Sequence, residues 1–209
     1  MAHTWGNDTQ HVGILWMLKL DATLFTRPSS LTHGVATTFQ RIGPEAALSL
    51  SQAMRLQDPA VVQHRFALGR RCYAGLVEGK IAVYGWVTFD EERIGEIGLS
   101  IHMQAGEAYI WDCATLPAYR GQRLYPALLA YILDDLSAEG LQRIWIGTDL
   151  VNVASQKGVA LAGFQPLVDI GTTRTVTGHS LWIRKRAGVS EQDAIDARQA
   201  LLGPLEIKS

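Results

Sequence analysis

Cysteine is scarce in this chain, with two in 209 residues, so neither a disulfide framework nor a thiolate metal centre can be its organising principle. Cys72 and Cys113 stand far apart in apolar surroundings, with no Cys-x-x-Cys and no metal-ligand spacing. They read as buried free thiols in a reducing compartment, and no metal is expected. An excess of either charge is also missing. The formal net charge is −1, and the basic residues are scattered apart from Arg70-Arg71 and Arg184-Lys185-Arg186. Gripping nucleic-acid phosphates takes clustered Lys and Arg, so nucleic acid is not an expected partner, and the two short clusters read as solvated strand ends. Long apolar runs are absent too. Residues 12–18 and 81–89 are too short to span a bilayer, and Lys19 and Asp21 interrupt the stretch 12–25, which has no basic leader. No membrane partner and a cytoplasmic location are therefore expected.

What is present is the balance of a globular protein: 47% hydrophobic and 19% charged residues, enough for one sizeable core and a short appendage. Residues 1–33 are set apart as an N-terminal extension, in which the apolar stretch from Ile14 reads as a strand or a docked arm. Residues 35–42 are β-rich. Helices follow at 44–56, with Pro44 in the first turn, and at 59–68, with Asp58 as cap and Gly69 as stop. Strands at 72–77 and 81–89 flank the turn Glu78-Gly79-Lys80, and strands at 94–103 and 107–116 flank Gln104-Ala105-Gly106, which predicts two hairpins in an antiparallel meander. The period then lengthens. Leu124, Leu128, Ile132 and Leu136 stripe one helix face up to Gly140. A strand at 143–148, a helix at 152–162 closed by Gly163, strands at 164–170 and 179–183 and a capped helix from Ser190 complete the order. The expected division is 1–33, a domain at 34–186 and a C-terminal helix at 187–209, with the two ends available for homodimerisation.

One stretch carries chemistry. The strand ending Trp111-Asp112-Cys113-Ala114-Thr115-Leu116 turns through Arg120-Gly121-Gln122-Arg123-Leu124-Tyr125 directly into the long helix. The first turn of a helix presents N–H groups without internal partners and a partial positive charge, a ready anion site. Gly121 lets backbone approach the anion, and Arg120 and Arg123 add charge. On local physics alone the same residues read equally well as an ordinary connection with two exposed arginines. The Walker, dinucleotide, nucleophile-elbow and zinc-protease motifs are all absent.

Residues 117–129, from Pro117-Ala118-Tyr119-Arg120-Gly121 onward, resemble the acetyl-CoA-binding motif of the GNAT superfamily, Arg/Gln-x-x-Gly-x-Gly/Ala before a Leu-rich helix. About 30 residues later, Asn152-Val153-Ala154-Ser155 followed by Gly163-Phe164 resembles its second motif. The resemblance covers residues 35–186. It implies an α/β fold with a mixed, mostly antiparallel twisted sheet of about six to eight strands, flanked by helices and splayed between two parallel strands. It also implies transfer of an acetyl or other acyl group from acyl-CoA to a primary amine, on a small molecule or a peptide. The alternative is a catalytically silent acyl-CoA sensor or assembly subunit.

By the same resemblance Ala114, Thr115 and Leu116 would face the pantetheine and thioester, Arg120 to Tyr125 the pyrophosphate, and Asn152 and Ser155 the pantetheine and thiolate. Two of the family's glycines are Arg123 and Tyr125 here, and the tyrosine that often serves the leaving thiolate falls at Val159. Candidates for taking the amine's proton are Asp112, Glu107 and Tyr109. Asp112 is an acid within an apolar strand and otherwise a partner for a loop; Glu107 lies at the strand mouth and otherwise is a solvated charge; Tyr109 otherwise is a packed aromatic. Asn152 also suits a helix cap.

Overall fold

The computed structural model describes residues 9–20, 34–95, 98–175 and 178–203. In chain order they form β1 (Thr9–Lys19), β2 (Thr38–Ile42), a short 3-10 turn, α1 (Ala47–Ala53), α2 (Ala60–Ala67), β3 (Arg71–Val77), β4 (Lys80–Thr88), β5 (Glu91–Ile94), β6 (Leu99–His102), β7 (Glu107–Thr115), a second 3-10 turn, α3 (Leu124–Ala138), β8 (Arg143–Asp149), α4 (Val153–Leu161), β9 (Gln165–Thr175), β10 (Gly178–Lys185) and α5 (Glu191–Leu202). The architecture is α/β. Eight strands join in the order β10-β9-β1-β8-β7-β4-β3-β2, and β5 and β6 pair separately. Every pairing in the large sheet is antiparallel except β7 with β8.

The apolar stretch at Ile14 is a strand, and an interior one. The sequence sets residues 1–33 apart as an extension, yet β1 lies hydrogen-bonded between β8 and β9. Its composition explains the position. Ile14, Trp16 and Leu18 point into one core and Leu15 and Met17 into the other, so an unbroken apolar run suits a strand covered on both faces. Trp16 Nε1 donates to Thr148 Oγ1 of β8 across 2.8 Å. The last helix is likewise spent within the fold, with Ala197, Ala200 and Leu201 buried beside Ile101 of β6 and Leu167 of β9. Of the two segments considered for dimerisation, the described β1 and one face of α5 thus pack within the chain, while Ile195 and Leu202 of α5 stay exposed.

Helices α3 and α4 cover one face, where Leu128, Leu129, Ile132 and Val159 pack on Ile14, Val83 and Ile110. The opposite face carries α1 and α2 over β3 and β4, and α5 with the β5-β6 ribbon over β1 and β9. The first hairpin forms as expected, Glu78 and Gly79 both taking positive φ, the geometry of a type I′ turn. The second does not. Gln104-Ala105-Gly106 is a real turn, with Glu107 N–H donating to the Gln104 carbonyl, but β7 pairs with β4 and β8. Of the expected strand 94–103 only Leu99–His102 form one, β6, which pairs antiparallel with β5 just before it, and Gly98 takes positive φ.

Candidate functional site

The parallel pair β7-β8 holds register only from Glu107–Arg143 to Ile110–Ile146. Beyond it the strands fork. At the fork β7 is bulged: Trp86 pairs with Trp111 and Tyr84 with Ala114, and Asp112 takes φ +42. After the bulge the strand is regular, and Leu116 N–H donates to the Ala82 carbonyl at 2.9 Å. By alternation Ala114 also turns its amide to β4, whereas Cys113 and Thr115 turn theirs toward the fork. The Thr115 carbonyl fits this, accepting from Arg120 Nε at 3.4 Å rather than from β4.

The chain then enters α3 through two left-handed residues, Gly121 at φ +78 and Arg123 at φ +58. Arg123 is the N-cap and supplies no side-chain bond, and the first helical backbone bond runs from Ala127 N–H to the Arg123 carbonyl. The Leu124 and Tyr125 amides therefore have no partner within the helix. Arginine keeps the backbone shape that glycine would adopt without strain. A Cβ at Gly121 would meet nothing within 4 Å, so that position demands glycine for its φ alone.

Two cavities open at the fork. The first, about 760 Å³, lies between the α3 turn and α4 and includes Arg120, Arg123 and Lys157, with no acid among its lining residues. The second, about 540 Å³, lies over β7, β8 and β1 and carries Glu92, Asp112 and Asp149 against Arg65 and Arg93. Four residues line both: Cys113, Tyr125, Asn152 and Ser155. Asn152 caps α4, its Oδ1 accepting the Ser155 N–H at 3.0 Å, and the Tyr125 and Ser155 hydroxyls are 3.5 Å apart. Burial, then the neighbouring Cys113, pushes the Tyr125 phenol well above its ordinary range, and the Ser155 hydrogen bond opposes them. The Cys113 thiol is also pushed up, by burial and then by Asp112.

Of the residues singled out from sequence, Ala114, Thr115, Arg120, Gly121, Arg123, Leu124, Tyr125, Asn152 and Ser155 line the first cavity. Leu116 and Gln122 line neither: Leu116 packs under α1 and α2, and the Gln122 carbonyl accepts the Gly34 N–H. Tyr109 and Asp112 line the second cavity. Tyr109 is buried, and its hydroxyl lies 3.0 Å from where a Cβ on Gly147 would be. Asp112 is not embedded in an apolar strand; the bulge turns it out to Arg65 Nη1 at 2.5 Å, and Arg65 stacks over Trp111 and Trp86. Glu107 is neither solvated nor at the mouth. It sits at the opposite end of β7, buried, accepting from Arg143 Nη1 at 2.8 Å and from the Gln104 N–H. Sequence reasoning missed Cys113 and Asp149, which no local pattern marks, and Lys157, a base one turn into the helix that Asn152 caps.

The family model described as "Acetyltransferase (GNAT) family" matches residues 52–164. Among solved structures, the ribosomal-protein-S18-alanine N-acetyltransferase from Escherichia coli superposes with a TM-score of 0.52 at 16% identity, covering 73% of this chain and 97% of that one. A GNAT-family acetyltransferase from Colwellia psychrerythraea gives 0.52 at 14% identity over 85% of this chain, which spans 56% of that longer one. At these identities the likeness is one of fold. No curated protein matches the chain.

Proposed function

Because the chain belongs to the GNAT acetyltransferase family, we propose that it moves an acetyl group from acetyl-CoA to a primary amine by direct attack, with both substrates bound at the fork. The observation that carries this reading is the meeting of two cavities of unlike charge at Cys113, Tyr125, Asn152 and Ser155. The phosphates of CoA fit the first cavity, where three cations face no acid and the α3 turn presents unpartnered amides. The amine fits the second, which holds three carboxylates against two guanidiniums.

The fork lets pantetheine amides pair with the open edge of β7. The Cys113 and Thr115 amides point where the thioester oxygen gains charge as the amine adds, and donors held there by the bulge require no reorganisation. The amine must lose a proton. Asp112 and Tyr109 line the amine's cavity and Glu107 does not, so the base is assigned to Asp112, acting directly or through water. Asn152 orients the first turn of α4 by capping it.

The test is thiol release from acetyl-CoA with a panel of small primary amines and of peptides with free N-termini. Release with one class identifies the acceptor. Acetyl-CoA binding without release across the panel would replace this reading with the silent acyl-CoA sensor or assembly subunit.

A further inference from the structure

Most of the charged groups that line the second cavity are spent within the chain. Glu92 uses both oxygens: Oε2 accepts from Arg70 Nε at 3.0 Å and Oε1 from the Arg93 backbone N–H at 3.2 Å. Asp149 is engaged as well. Arg65 gives Nη1 to Asp112 Oδ2 and lies over the Trp111 and Trp86 rings. Two groups are left open among the described residues. Asp112 Oδ1 accepts no hydrogen bond, and the Arg93 guanidinium, exposed on β5, has neither a hydrogen-bond nor an ion-pair partner. An open carboxylate oxygen and an open guanidinium thus line one cavity of about 540 Å³, an ordinary volume for a small-molecule site. Asp112 adjoins Cys113, which lines both cavities, so the acidic end is the one beside the thioester.

Resting on the acetyl-transfer reading above, we propose that the acceptor is a free amino acid, its ammonium at Asp112 and its carboxylate at Arg93. The planar guanidinium fork matches a carboxylate with two parallel N–H···O bonds, which fixes the orientation of the amine as well as its place. Other amines fit less well. A polyamine or an aminoglycoside would set a second ammonium against Arg93, with no unspent acid to receive it. A peptide N-terminus has an amide where the amino acid has its carboxylate, and leaves Arg93 unmatched. In the reaction the ammonium gives one proton to Asp112 and on to solvent. Its nitrogen bonds to the thioester carbon, and the carbon–sulfur bond breaks with its electron pair on sulfur. The second proton lost by nitrogen reaches the thiolate through solvent. The carboxylate stays on Arg93 and changes no bond.

The experiment measures thiol release from acetyl-CoA by the full chain, with each common amino acid set beside its α-amide and beside alanyl dipeptides. The α-amide has the less basic amine, so basicity alone favours the amide and cannot imitate the effect. The expected result is a kcat/KM about tenfold or more higher for at least one free acid than for its amide. Arg93→Ala should erase that preference by raising the KM for the acid far more than it lowers kcat, and Arg93→Lys, which keeps the charge without the fork, should restore part of it. Amides or dipeptides used as well as the acids, or a preference that survives in Arg93→Ala, overturns the assignment. Should Arg93→Ala fail to fold, the ratio of acid to amide in wild type decides. Release with other amines but with no amino acid overturns this proposal alone. Release with no amine at all overturns the acetyl-transfer reading along with it.

Discussion

Tyr125 and Gly158 fit one another: the ring from the start of α3 occupies the space that any side chain at 158 would need, and a Cβ there would lie only 2.5 Å from Tyr125 Cδ1. The contact ties the phosphate turn to α4. Gly158→Ala gains up to about 1 kcal/mol of helix propensity, but overpacking against the partly buried ring costs about 1–3 kcal/mol, so the clash wins. Thermal denaturation should show the variant destabilised, and Tyr125→Ala in the same chain should suppress part of that loss. Additive effects would mean that the two residues do not meet.

Arg123 holds a left-handed conformation that costs a non-glycine residue about 1–2 kcal/mol. Arg123→Gly removes that strain and a positive charge together. Stability should rise by about 0.5–1 kcal/mol after the greater freedom of glycine in the unfolded chain is set against it, while acetyl-CoA binds more weakly and with a shallower salt dependence. Denaturant midpoints and calorimetry read the two effects separately, and a destabilised variant would contradict the strain.

These two features show what the sequence disclosed. The strand-turn-helix is legible because the apolar period changes from two to about four at Gly121, and the positive-φ demand at Gly121 is local. The bulge at Asp112 is not, because it depends on how β4 pairs with β7. Partner choice between strands is likewise non-local. The turn at Gly106 can be read from its own residues, but the hairpin expected around it does not form, since β7 finds β4 and β8 instead of β6. Glu107 can be placed relative to the fork only once the pairing to Ile110–Ile146 is known. The unbroken run Ile14 to Leu18 does carry a signal for a strand buried on both faces.

At the C-terminal end of α3, Arg41 and Arg71 bind Asp135 and the C-cap Glu139, and the Tyr73 hydroxyl donates to Asp135 at 2.6 Å. Burial pulls Asp135 upward, but the hydrogen bonds and both guanidiniums outweigh it and its carboxyl lies below the usual range. Glu139 is lowered chiefly by its bond from Arg71. Carboxyls lowered by folding stabilise above their unfolded values, near 3.8 and 4.5, and that contribution is lost as pH falls through the folded ones. Arg71→Met should therefore move acid unfolding to higher pH and leave stability near pH 8 reduced by no more than about 1 kcal/mol, because the pairs are partly exposed. An unchanged acid midpoint would rule the network out as a source of acid stability.

Arg65 is held by its charge partner Asp112 at 2.5 Å and by stacking, lying 4.6 Å from the Trp111 ring centroid and 5.1 Å from that of Trp86. Arg65→Ala should cost about 1–2 kcal/mol with little salt dependence, and Asp112→Asn under about 1 kcal/mol. The kinetic contrast is sharper. Asp112→Asn should lower kcat at least tenfold with KM for acetyl-CoA unchanged, since Asp112 lines only the amine's cavity. An unaffected kcat would remove Asp112 as the base.

Calorimetric titration of the purified chain with acetyl-CoA, repeated with Gly121→Val, tests the site most directly. Gly121 stands at φ +78 in open space, so a β-branched residue distorts the turn without filling the cavity. Wild type should bind with a Kd in the micromolar range, with affinity falling as salt rises, and Gly121→Val should bind at least tenfold more weakly. Absence of binding to the wild type at tens of micromolar, or equal affinity of the two proteins, would contradict the placement of CoA at the Arg120–Tyr125 turn.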